Sequence, residues 1–102
     1  MIEKRDFYID GKWVAPLEGS EHKVINPSTE EPCTVISLGG PKDVDAAVAA
    51  AKAALPAWMA TAPEERIALM EKLAEVYKSR TEDMAQAIST EMGAPISVLI
   101  AW

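Results

Sequence analysis

Apolar residues follow two periods along this chain, and the change between them falls near residue 40. Before it they come in short runs of β-favouring residues broken by turn formers: Phe7-Tyr8-Ile9, Lys12-Trp13-Val14, His22 to Ile25 and Cys33 to Leu38. Asp10-Gly11 separates the first two runs, and this dipeptide supplies the positive φ angles of a tight hairpin, so a small ribbon is expected there. Asn26-Pro27-Ser28-Thr29-Glu30-Glu31-Pro32 lies between the last two runs and reads as a turn. Gly39-Gly40-Pro41 ends the fourth run. Pro41 suits the first position of a helix, where its missing N–H would have no intrahelical partner.

From Lys42 the steps lengthen to three and four. Val44, Ala47, Val48, Ala51 and Leu55 mark a first helix with Asp43 and Asp45 near its positive end, and Pro56 is expected to end or kink it. The alanines around that stripe favour helix and allow close packing by another element. A second helix begins near residue 62. Thr61 with Glu64 fits a capping box, whereas Pro63 at the first position makes Ala62 the cap; the sequence leaves both open. Ile67, Met70, Leu73, Ala74 and Tyr77, widened by Leu69 and Val76, predict a helix that buries a broad face. A break at Ser79-Arg80-Thr81 precedes a third helix with Met84, Ala85, Ile88 and Met92 on one face. Gly93 ends it at a left-handed cap position. Pro95 opens a further apolar segment through Trp102 that has no cap and no polar exit, so the sequence is expected to be a portion of a longer chain.

The fold class that follows is α+β, helix-dominated: a β ribbon and loops over 1–40, then three helices and the start of a fourth over 41–102. The chain has 102 residues, 49% of them hydrophobic and 25% charged, which are the proportions of a single globular unit. A net charge of −6 opposes binding to phosphate backbones and anionic lipid surfaces, so neither nucleic acid nor membrane is an expected partner. The start has no apolar leader and the one cysteine allows no intrachain disulfide. A cytoplasmic location is therefore expected.

Few residues offer chemistry. His22 has no second histidine or cysteine with which to hold a metal, and reads as a structural or solvent-exposed residue. Cys33 lies in an extended run, away from the helix amino terminus or cation that would activate a thiol, and reads as a small buried hydrophobe. Gly39-Gly40 lacks the spacing of a phosphate loop. Glu64-Glu65 and Glu82-Asp83 fall in first helical turns, where acidic residues stabilise a helix by about 0.3 to 1 kcal/mol. Met70, Met84 and Met92 are spaced as core fillers. No catalytic, cofactor-binding or metal residue is expected in this chain.

Five segments in order nevertheless carry a resemblance: Phe7 to Val14, Val24 to Glu31, Asp43 to Trp58, Pro63 to Arg66 and Glu91 to Pro95. Together they resemble the opening of the NAD(P)-dependent aldehyde dehydrogenases over essentially the whole chain. The resemblance implies a parent several times longer, of larger α/β architecture, that oxidises an aldehyde to a carboxylic acid with NAD or NADP. Its cysteine nucleophile, glutamate base and oxyanion-holding asparagine would all lie outside this region, as would the nucleotide-binding strands. It also implies that the helical region 41–102 packs on the nucleotide-binding domain, that the parent is a homo-oligomer, and that the 102 residues alone are inactive and bind no cofactor. Some members hold a monovalent cation through backbone oxygens near the positions of Val24 and Ile25. The family often has Lys or Arg where this chain has Ala94. The competing expectation, from a different class, is an independent interaction module whose apolar helix faces bind a partner.

Overall fold

In the computed structural model of the protein, residues 1–100 are described. The expected continuation of the last helix to Trp102 therefore lies outside the described residues. Five strands precede four helices: β1 (Ile2–Lys4), β2 (Phe7–Ile9), β3 (Lys12–Val14), β4 (Gly19–Asn26), β5 (Glu31–Gly39), α1 (Pro41–Ala60), α2 (Pro63–Ser79), α3 (Thr81–Met92) and α4 (Ile96–Ile100). The expected α+β class and the order of its elements are present. Two compact units make up the chain, one of residues 1–25 with 32–60 and one of residues 26–31 with 61–102, so α1 groups with the strands.

In the first unit, β2 and β3 form the expected hairpin, with Phe7 opposite Val14 and Tyr8 opposite Trp13. Asp10 and Gly11 have φ of 54° and 75°, the two positive angles that a two-residue hairpin of this twist requires. The Tyr8 and Trp13 rings meet across the strands at 5.2 Å between centroids. Beyond this ribbon the β portion holds a second sheet of three strands in the order β1-β5-β4. β1 is an addition to the expected elements: it pairs in parallel with β5, Ile2 opposite Thr34 and Lys4 opposite Ile36. Val35, in the middle of β5, is 3% exposed and forms the apolar centre of this unit.

Of the two outcomes expected at Pro56, an end or a kink, the end is not taken: α1 runs on to Ala60. Proline removes one N–H donor from the helix, and the alanines on both sides favour helix strongly enough to carry it past that loss. The side of α1 that turns inward is also not the Val44 stripe, since Val44, Val48 and Leu55 are exposed while Asp43 is buried and Ala46 and Ala50 half-buried. Periodicity identified the helix, and the polar anchor at Asp43 fixed its rotation.

In the second unit α2 starts with Ala62 as its cap and Pro63 at the first position, and no side chain caps it. The alternative in which Pro63 opens the helix is the one adopted. At the other end the hydroxyls of Ser79 and Thr81 donate to the Val76 and Lys78 carbonyls at 2.6 and 3.0 Å, satisfying acceptors that a helix end leaves free. α3 then buries Ala85 and half-buries Ile88, and packs against α4. Met92, assigned to that face by spacing, is 73% exposed: it is the last residue of α3, where nothing among the described residues covers it. The 26–31 turn is held locally: the Asn26 side chain accepts from the Ser28 N–H at 2.8 Å and the Asn26 carbonyl from the Glu30 N–H at 2.8 Å.

Gly93 closes α3 at φ 77°, as its position predicts, and its N–H donates to the Ser89 carbonyl at 2.9 Å. A Cβ there would lie 3.1 Å from Cγ of Pro27. Gly93→Ala combines the left-handed conformation with that close approach, and is expected to reduce stability by about 1 to 3 kcal/mol. Urea denaturation checks this through a lower midpoint at unchanged slope.

Candidate functional site

The junction between β5 and α1 holds the only buried ionisable side chain among the described residues, Asp43. One carboxylate oxygen accepts from the Leu17 N–H at 2.7 Å; the other accepts from the Gly40 N–H at 3.1 Å and the Glu18 N–H at 3.3 Å. The Leu17 N–H does most to hold the Asp43 carboxyl below the usual aspartate range; burial opposes it, and the Gly40 and Glu18 N–H groups add to the lowering. Glu18 returns the contact: its carbonyl accepts from the Gly40 N–H at 3.0 Å and its side chain accepts from the Lys42 N–H at 2.7 Å. The segment before β4 is thereby tied to the first turn of α1.

This arrangement also tests whether the glycine pair could cradle a nucleotide phosphate. It does not fit one. The amides of Gly40, Lys42 and Asp43 that a helix amino terminus would turn toward an anion are engaged by Asp43, Glu18 and the Gly40 carbonyl. A Cβ on Gly40 would fall 2.5 Å from Cγ of Glu18, so this glycine admits the glutamate side chain. Gly39-Gly40 is a strand-to-helix turn.

The remaining sequence candidates are dispersed. His22 is exposed on β4. Cys33 is half-buried on β5, and its thiol donates to the Val24 carbonyl at 3.4 Å. Val24 is half-buried and Ile25 exposed beside it. Glu64-Glu65 and Glu82-Asp83 stand in the first turns of α2 and α3. No three His, Cys, Asp or Glu side chains among the described residues converge as metal ligands. No described helix is long and apolar enough to cross a membrane.

What the structure does present is uncovered apolar surface. The expectation that α2 buries a broad face is not met within these residues: no α2 residue is buried, and Ile67, Met70 and Leu73 are 58%, 60% and 61% exposed. A hollow of about 340 Å³ lies along α2 and α3, lined by Leu73, Val76, Tyr77 and Met84, with Arg80 and Asp83 paired at its rim. Another of about 390 Å³ separates the alanines Ala46 and Ala50 of α1 from Ile9 and Val14 of the ribbon. The sequence predicted the apolar faces but held no information on what covers them.

The aldehyde dehydrogenase family model matches residues 13–99. The chain belongs to the aldehyde dehydrogenase family. It is 44% identical over 96 residues to a 3-succinoylsemialdehyde-pyridine dehydrogenase from a Pseudomonas species, a match that covers 94% of this chain and 20% of that protein. An aldehyde dehydrogenase from Bartonella henselae superposes with a TM-score of 0.96 at 50% identity, over 99% of this chain and 21% of the other. Aldehyde dehydrogenase C from Pseudomonas syringae, a cysteine-to-alanine mutant solved with NAD⁺ and octanal, gives a TM-score of 0.93 at 47% identity, over 96% and 20%. The chain thus spans about a fifth of the length of the aldehyde dehydrogenases it matches, and corresponds to their amino-terminal part.

Proposed function

We propose that these 102 residues are the amino-terminal structural portion of an NAD(P)-dependent aldehyde dehydrogenase and carry out no chemistry by themselves. The observation that supports this is the match itself: nearly the whole of this chain aligns with about a fifth of each relative. In this reading the parent oxidises an aldehyde to a carboxylic acid through a thiohemiacetal on a cysteine outside this stretch, with NAD or NADP as oxidant. A relative solved with NAD⁺ and octanal favours that assignment. The Gly39-Gly40 turn does not favour a phosphate of the cofactor, since its amides are taken by Glu18 and Asp43. Their contribution is support: the exposed faces of α1 and α2 are the surfaces on which the remainder of the chain, its nucleotide-binding domain included, would pack. A cytoplasmic homo-oligomer completes the proposal.

Cys33 has no part in the reaction, because its thiol is turned to the Val24 carbonyl within the sheet. The purified 102-residue chain is expected to give no aldehyde-dependent reduction of NAD or NADP, followed by nicotinamide absorbance. Sustained turnover that disappears in Cys33→Ala would overturn the reading. The complete aldehyde dehydrogenase carrying this segment is expected to turn over aldehyde, and Cys33→Ala in it to stay within about twofold of that rate, as for a small substitution outside the reacting groups. A gene with no dehydrogenase sequence continuous with these codons would favour the partner-binding alternative.

A further inference from the structure

Arg80 alone joins α2, which ends at Ser79, to α3, which begins at Thr81, so the two helices meet at a corner. The hollow of about 340 Å³ lies at that corner and is lined from both sides of it, by Leu73, Val76 and Tyr77 of α2 and by Met84 and Ala87 of α3. The four large side chains among these are between 43% and 61% exposed. One side of α3 is already covered and the side on the hollow is not. Ala85 is buried and Ile88 half-buried, whereas Met84 and Ala87 each precede one of them by a single residue and so project about 100° away around the helix. Apolar residues at steps of three and four on both helices make two ridges with a groove between them, the form that receives a third helix.

We propose that this groove seats the apolar face of one helix from the part of the parent chain that follows residue 102. The assignment rests on the reading of this segment as the amino-terminal portion of a longer aldehyde dehydrogenase, and deepens it by naming what covers α2 and α3. About four-fifths of each relative lies beyond the matched stretch, an ample source for such a helix. A second copy of the same surface is the poorer occupant. α3 carries Glu82, Asp83 and Glu91 and no Lys or Arg, so two such faces would bring acid against acid. Arg80 and Asp83, paired at 3.2 Å with side chains about 70% exposed, mark the polar rim where the docked surface gives way to water.

The test is a crystal structure of the complete dehydrogenase together with melting temperatures of its Leu73→Ala, Met84→Ala and Leu73→Met variants. Apolar side chains from one helix of the same subunit are expected against Leu73, Val76 and Met84. Both alanine variants are expected to lose several degrees, and Leu73→Met, which keeps the volume, to recover most of the loss. Truncating the side chain that meets Leu73 is expected to produce a loss that does not add to that of Leu73→Ala. Water in the hollow, a strand or loop in place of a helix, or residues of another subunit would overturn the proposal, as would alanine variants as stable as their parent. Aldehyde-dependent NAD reduction by the unmutated enzyme is measured separately. Its failure would remove the functional reading, while the occupant of the groove would still be read from the crystal structure.

Discussion

Asp43→Asn is expected to lower the melting temperature of this chain by about 10 °C, the scale set when a buried donor or two loses its acceptor in a small domain. Three backbone N–H groups, from Leu17, Glu18 and Gly40, converge on the two carboxylate oxygens. An amide has the same shape but one acceptor oxygen, and its NH₂ would point a donor at a donor. At least one N–H is then left unpaired at a buried position. Far-UV circular dichroism on heating reads the result, and a midpoint within a degree or two of the parent would show that the bracket is dispensable.

The pH dependence has a defined sign. The folded-state value of Asp43 is lowered, so the unfolded chain binds its proton more readily than the folded one. The stability it contributes is fully present above the ordinary aspartate value of about 3.8 and is lost as the pH falls through the folded value below it. The gap in melting temperature between the parent and Asp43→Asn should hold constant near neutrality and narrow below about pH 4. A gap that widens in acid would contradict the assignment.

Local chemistry made much of this architecture readable in advance. Asp10-Gly11 announces its turn because few other pairs take two positive φ angles, and Gly93 announces a helix end for the same reason. Helical spacing located α2 and α3 because a stripe repeats every three or four residues whether or not anything covers it. That independence is also why spacing misjudged burial: Ile67, Met70 and Leu73 form the expected stripe and are exposed. β1 escaped because Ile2-Glu3-Lys4 is too short to show alternation and its partner, β5, lies some thirty residues away. The role of Asp43 escaped because its partners at Leu17 and Glu18 are equally remote, while its place in a first helical turn already had an adequate local explanation. The family was legible from five segments in order. The hollow at Leu73 and Met84 was not, since a break at Ser79-Arg80-Thr81 does not say how sharply two helices turn.

The same junction sets up the second large effect, Gly19→Ala. Gly19 does not occupy the left-handed region, so alanine meets no backbone penalty there. The obstacle is steric: a Cβ would fall 2.5 Å from the Leu38 carbonyl oxygen and 3.5 Å from Cβ of Pro16. Leu38 is backbone on the neighbouring strand, so no side-chain rotation relieves the clash; β4 must shift away from β5. It cannot shift freely, because the adjacent Glu18 holds the Gly40 N–H through its carbonyl and gives its own N–H to Asp43. A loss of about 2 to 3 kcal/mol is expected, the upper part of the range for overpacking. Gly11→Ala provides the contrast, with open space around its Cβ but φ at 75°, and should lose only about 1 kcal/mol. Urea denaturation ranks the two, and Gly19→Ala no worse than Gly11→Ala would refute the steric account. Combining Gly19→Ala with Asp43→Asn should cost less than the sum of the two, because either change alone loosens the strap that the other depends on.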